Sequence, residues 1–275
     1  MKKHLLLYLA SAFFLIACSA SHEPNGGDKI PEAIQDTTLP YNSVHLSLGL
    51  PVDADSTDEY VLVRPQYALS YNKNLNVSNW VSWELNSNWF GDVDRYSGNF
   101  IQDPLLPEGY YRVTHNDYTN SGYDRGHMVR SEERTRTDED NKSTFYTTNI
   151  LPQMPDLNQG VWLNLEYHCE DLCKQQNKEL FVLAGGVFYT KNKLKNVVTV
   201  PDSCWKIIII LNKGQGIGDI NGNTEVIAVM MPNIAGIRKD TWDKYKTTIR
   251  RIEGSTGYNF LSRVSKSIQD VIENK

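Results

Sequence analysis

Three short apolar runs in the second half of the chain, residues 180–184, 204–211 and 225–231, constrain its fold more than any other feature. Each is continuous in apolar character instead of alternating with polar residues, as strands buried on both faces are. They read as the central strands of a sheet. Residues 60–67 and 80–85 alternate or run apolar like further strands, and 145–151 is another candidate. Between them, 156–174 carries Val161, Leu165, His168 and Leu172 at helical spacing, with Pro155 and Asp156 as start signals. Residues 240–253 and 261–273 read as two more helices. Strands and helices mixed without a strict strand–helix repeat predict an α+β fold, with helices packed on a mainly antiparallel central sheet. The chain's 275 residues suffice for one large domain with a sizeable core.

The N-terminus reads as an address. Met1, Lys2, Lys3 and His4 form a positive start and residues 5–14 an apolar run, and Leu15, Ile16, Ala17 and Cys18 make a small-residue cleavage site ending in cysteine. This resembles a bacterial lipoprotein signal. The resemblance implies removal of 1–17, acylation of Cys18 and an exported protein anchored to the cell-envelope membrane, periplasmic or surface-facing. An ordinary secretory signal with an incidental Cys18 is the alternative, and it exports the chain too. Residues 18–43 are rich in Ser, Pro, Gly, Asn and Asp without an apolar period, so they read as a flexible tether. One folded domain then spans 44–275. The net charge is −5, which excludes a general electrostatic attraction for polyanions and confines nucleic-acid binding to a local patch.

Chemistry concentrates between Arg95 and Glu166. In the segment 121–128, Gly126 separates Arg125 from His127: an imidazole that can take a proton from water near neutral pH, beside a guanidinium that can hold phosphate. Further on, Asn158, Trp162 and Glu166 are spaced four apart, and a regular helix would project all three from one side. An amide oxygen and a carboxylate would then share one small volume, a sparse site suited to Mg2+, which prefers oxygen ligands and keeps several waters.

The ordered segments 124–127 (Asp-Arg-Gly-His), 144–153 and 157–166 resemble the DNA/RNA non-specific endonuclease family. The likeness extends upstream through Asp94, Arg95, Phe100 and 116–118, and downstream through 185–188 and 228–233. The resemblance implies a ββα-metal finger and hydrolysis of DNA and RNA to 5′-phosphate ends without strong sequence specificity. It also implies a divalent cation, Mg2+ or else Mn2+ or another. By position, His127 is similar to the general base, Asn158 to the metal ligand and Arg95 to the arginine that stabilises phosphate charge in the transition state. Glu166 is similar to the acid that orients metal-bound water, and Asn149 to a further active-site asparagine. Arg125 and Arg130 are candidate substrate-binding residues. Structural readings stand beside two of these: Arg125 as an ion-pair partner of Asp124 or Asp117, and Asn158 as a helix-start residue.

Other features carry less chemistry. His115 reads as a surface or loop residue, and His22 and His45 as bystanders. Arg125, Arg130, Arg134, Arg136 and Lys142 alternate with Glu132, Glu133, Asp138, Glu139 and Asp140, the pattern of a mixed solvated loop. Arg238, Lys239, Lys244, Lys246, Arg250 and Arg251 form a second candidate basic patch. With Cys18 assigned to lipid, Cys169, Cys173 and Cys204 permit one disulfide and one free thiol, or a zinc site with His168. The function class that competes with a nuclease is a catalytically inactive surface lipoprotein that only binds a partner.

Overall fold

The computed structural model describes residues 43–275, so the signal at 1–17, Cys18 and all of the tether but its last residue lie outside the described residues. β1 (Val61–Val63), β2 (Ala68–Asn72) and β3 (Val77–Leu85) form a meander. A long excursion then carries α1 (His115–Tyr118), β4 (Asp124–His127), α2 (Asp138–Ser143) and β5 (Ile150–Gln153), with β4 and β5 paired as a separate antiparallel ribbon. After α3 (Leu163–Lys174) the chain rejoins the sheet as β6 (Lys178–Val187), turns through the small β7 (Lys193–Leu194) and β8 (Val198–Thr199) pair, and completes the sheet with β9 (Ser203–Asn212) and β10 (Glu225–Pro232). The six strands lie in the order β1-β2-β3-β6-β9-β10, and every pair is antiparallel. α4 (Ile249–Thr256) and α5 (Lys266–Ile272) follow.

Two-residue periodicity splits the core across this sheet. Leu180, Val182, Ile208 and Ile210 pack with Leu165 and Leu172 of α3 and with Ile150 and Leu151 of β5. Phe181, Leu183, Ile207 and Ile209 pack on the other face with Ile252 of α4, Phe260 and Ile272 of α5. The sheet is therefore the middle layer of an α+β fold, which is why its central strands read as continuous apolar runs. Each fully buried Ile or Leu contributes about 1.5–3 kcal/mol of transfer free energy, enough in aggregate to hold the β4–β5 ribbon rigidly over one face.

Five local expectations differ from what is observed. Residues 225–231 form an edge strand, not a central one; they are apolar because the turn at Trp242–Tyr245 covers the edge and Lys246 bridges to Val229. Over 145–151 only the end is strand: Thr147–Asn149 makes a 3-10 turn that delivers the chain into β5. The helix expected over 240–253 begins only at Ile249, where the Thr248 hydroxyl accepts from Arg251 N at 3.1 Å, and the last helix begins at Lys266. The helix expected over 156–174 is broken at Gly160 (φ −121°, ψ −107°) into a wide turn, Leu157–Trp162, followed by α3. A Cβ at Gly160 would lie 2.6 Å from the Arg238 carbonyl oxygen, so this close approach needs glycine.

Candidate active site

The β4–β5 ribbon and the helix that follows it form the ββα unit. His127 pairs with Ile150 and Asp124 with Gln153, so the Asp-Arg-Gly-His motif is itself a strand. Gly126 is required there because a Cβ would overlap the buried Gln153 side chain at 2.1 Å. Alternation along β4 puts Arg125 and His127 on one face.

The His127 ring is 9% exposed, packed against Phe100 (centroids 5.2 Å) and edge-on to Phe145 (5.0 Å). Its Nε2 is buried and has no hydrogen-bond partner among the described residues. Burial pushes its pKa down to about 3, the Arg95 and Arg130 charges adding to the effect and Glu132 opposing it. The imidazole is neutral at physiological pH and has a nitrogen lone pair to offer, as a proton acceptor requires.

A chain of charges runs from His127's neighbours into the core. The half-exposed Arg95 lies over the Phe145 ring (4.9 Å) and donates to Ser131 Oγ and to Glu132 Oε1, the latter at 2.9 Å. Arg130 contacts Glu132 Oε2 (3.1 Å), Glu166 Oε2 (3.7 Å) and Glu170 Oε2 (2.9 Å). With three carboxylates around it and only 11% of its side chain exposed, Arg130 is an internal counter-ion, and the expectation that it binds substrate phosphate gives way to that geometry. Glu166 is buried, and burial pushes its pKa up to about 7; Lys206 and Arg130 oppose the shift, and Glu133 and Glu132 reinforce it.

Arg125 behaves differently. It makes no ion pair with Asp124 or Asp117; its Nη2 donates to His115 O (2.8 Å) and Thr119 Oγ1 (2.9 Å), both neutral acceptors. It lies without a salt bridge at an open recess lined by His115, Tyr118, Tyr123, Asp124 and Pro155, with the field of Asp124 offsetting part of its charge. His115 is a structural acceptor for Phe100 N through Nδ1 (3.3 Å).

Asn149 has a task other than direct contact with substrate. It is wholly buried, its Nδ2 donates to Val129 O and Thr144 O (2.9 Å each), and its Oδ1 accepts from Val129 N (3.0 Å). With Met128 N donating to Asn149 O at 2.9 Å, the residue clamps the chain that leaves His127. No polar atom of its side chain is left for a phosphate.

Asn158 sits before the Gly160 break and Glu166 after it, so the two do not share the regular helical face that their spacing suggests. Trp162, between them, is fully buried. Asn158 Nδ2 donates to Asp124 Oδ2 (2.9 Å), as does Gln159 Nε2 (2.7 Å). That commitment orients the amide and leaves Oδ1 as a hard oxygen donor, which fits a divalent cation. Asn158 N donates to Met154 O at 2.9 Å, which places the residue inside the first turn; the cap position is Asp156, so the Asn158 side chain does not cap the helix.

Several other readings dissolve in the tertiary structure. Arg134 is fully buried, donating to Gln66 O and Glu84 O, so the 130–142 segment is not a solvated loop. Arg238 pairs with Asp156, Lys244 with Asp240, and Arg250 with Glu253, Asp270 and Glu273, which neutralises half of the second basic patch. Cys169, Cys173 and Cys204 are buried free thiols, and His168 stacks on Trp242 (5.0 Å) without joining them. Among the described residues the one cluster of three potential metal ligands is Asp53, Asp58 and Glu59, apart from the ββα unit.

Sequence reasoning missed Asp124, which orients Asn158, and Glu132, which occupies Arg95. It also missed Lys206, 1% exposed, with Nζ 3.8 Å from Glu166 Oε1. The available signal for Lys206 was a single charge in the apolar run 204–211.

A ββα unit with a buried neutral histidine, an arginine beside it and an oriented asparagine defines a metal-assisted phosphodiesterase site. The family model for DNA/RNA non-specific endonuclease matches residues 48–267, and the chain belongs to this divalent-metal-dependent family of phosphodiester hydrolases. It is 48% identical over 241 residues to a nuclease of Nostoc sp., covering 86% of this chain and 87% of that protein. Human mitochondrial endonuclease G is 29% identical over 214 residues, 73% of this chain and 69% of that one. Its fold is similar to that in a crystal structure of the EndoG/EndoGI complex, with a TM-score of 0.69 at 24% identity over 81% of this chain and 91% of the other.

Proposed function

We propose that the chain is an exported nuclease that hydrolyses DNA and RNA without strong sequence specificity, using Mg2+ or a similar divalent cation held by Asn158 Oδ1. The observation that carries this reading is the neutral, desolvated His127 with an unpartnered Nε2 beside the Arg95 guanidinium. His127 takes a proton from water as the water oxygen bonds to phosphorus in line with the leaving 3′-oxygen. The P–O3′ bond breaks, the departing 3′-oxygen takes up a proton from solvent while His127 returns its proton to solvent, and the phosphate stays on the 5′ end. Arg95 stabilises the added negative charge on the phosphoryl oxygens. Arg125, without a salt-bridge partner at the recess, offers its guanidinium to the substrate backbone, contacts that carry no sequence information. Asn158 Oδ1 would hold the cation and Glu166 would orient its waters, and a bound cation would supply Lewis-acid stabilisation of the phosphate charge.

Plasmid DNA and RNA digestion with and without Mg2+, followed by His127→Ala, tests the assignment. The substitution should cost roughly 10²–10⁴-fold in rate on both substrates, with product ends that accept a kinase label only after phosphatase treatment. Wild-type rates in the folded variant would move the chemistry elsewhere. The proposed export and lipid anchor rest on the Cys18 signal; Cys18→Ser should release the protein from the membrane fraction or block its maturation, and unchanged membrane association would reject the anchor.

A further inference from the structure

Lys206 is the one charged residue in β9, whose other residues between the terminal Ser203 and Asn212 are Cys, Trp, Ile and Leu, and its side chain is 1% exposed. It shares strand parity with Cys204, Ile208 and Ile210, which face α3, so its ammonium enters the layer that carries the active site. There it lies over the Trp162 ring at 4.2 Å and the Trp83 ring at 5.6 Å. Its salt-bridge partner among the described residues is Glu166, at 3.8 Å from Oε1. A buried ion pair is costly to desolvate, and replacing both Lys206 and Glu166 with hydrophobic side chains of similar volume would be neutral or stabilising. Stability alone does not explain keeping the charged pair there.

The geometry around Glu166 does. Each carboxylate oxygen has its own cation, Lys206 at Oε1 and Arg130 at Oε2. Arg130 is divided among Glu132, Glu166 and Glu170, whereas the one salt bridge of Lys206 is to Glu166, its charge also reaching the buried Glu133. Two cations, one beside each oxygen at 3.7 and 3.8 Å, bias the carboxylate's orientation by their field, and Glu166 follows the Gly160 break, where helix geometry by itself no longer aims it at Asn158. We infer that Lys206 is a positioning residue that acts through Glu166, holding its carboxylate in the orientation that serves the reaction. This rests on the role given to Glu166 above.

The test is a double-mutant cycle of Lys206→Met and Glu166→Gln, with kcat and KM on double-stranded DNA at saturating Mg2+. Mn2+ affinity is measured by calorimetry without nucleic acid, and Tm of each variant is recorded. Lys206→Met should lower kcat about 10–100-fold, the range for residues that orient a metal site's ligand shell, with KM within about twofold. Mn2+ affinity should weaken by a like factor in both single variants. The double variant should match Glu166→Gln, because a residue acting through Glu166 has nothing left to act on. Wild-type kcat in Lys206→Met, or losses that multiply in the double variant, would overturn the inference. Wild-type kcat in Glu166→Gln would instead remove the reading of the site on which it rests. Lys206→Gln runs the same cycle if the methionine variant does not fold.

Discussion

Replacing Asn149 with alanine separates positioning from chemistry. The substitution deletes three hydrogen bonds in a wholly buried place: it strips Val129 N of its side-chain acceptor and removes the donor to both Val129 O and Thr144 O. A buried polar group left unpaired costs about 1–3 kcal/mol. Partial relaxation at the two carbonyls brings the expected total to about 3–5 kcal/mol. For a domain of this size each kcal/mol moves Tm by about 2–4 °C, so the variant should melt roughly 6–20 °C below wild type. The assay is thermal unfolding by circular dichroism, with kcat then measured well below the lowered Tm. Since the clamp holds the residues next to His127, kcat should fall by about tenfold, far less than for His127→Ala. A Tm within 2 °C of wild type together with a hundredfold loss of kcat would refute the reasoning and give Asn149 a direct role at the substrate.

Glu132 bridges Arg95 and Arg130 through partly exposed contacts of 2.9 and 3.1 Å, so substrate phosphate must compete with an internal carboxylate for Arg95. A screened pair of this kind is worth up to about 1 kcal/mol, and Glu132→Gln should lower KM about two- to fivefold; an unchanged or higher KM would show that the carboxylate aids binding. Glu166, raised to about 7, is protonated below that value, whereas His127 at about 3 stays neutral, so the acidic limb of kcat between pH 5 and 8 belongs to Glu166. Glu166→Gln should flatten that limb, and its persistence would return it to His127. In stability the depressed histidine has a definite sign: the unfolded chain, titrating at 6.5, binds the extra proton, so its contribution is full above pH 6.5 and is lost as pH falls toward 3. Urea unfolding of His127→Ala should therefore show a shallower loss between pH 6.5 and 4 than wild type, and parallel curves would contradict the burial.

What could be read from residue order alone was whatever depends on neighbours along the chain. The runs at 180–184 and 204–211 became β6 and β9 because a strand covered on both faces has no polar side to interrupt it. The ordered motifs led to the ββα unit only through their resemblance to the endonuclease family, and the pairing of β4 with β5 bears that out. Tertiary structure alone decided what each charge faces. Arg130 looked like a phosphate ligand until Glu166 and Glu170, some forty residues on, closed around it. Asn149 looked reactive until both ends of its amide met backbone. Lys206 looked incidental in an apolar run until Trp162 and Glu166 packed over it from another layer. Even the four-residue spacing of Asn158 and Glu166 misled, because the main chain of Arg238, packed against Gly160, breaks the helix between them. A side chain's type is local, but its charge state, its partners and the direction it points are set by the field and the sterics of segments far away in sequence.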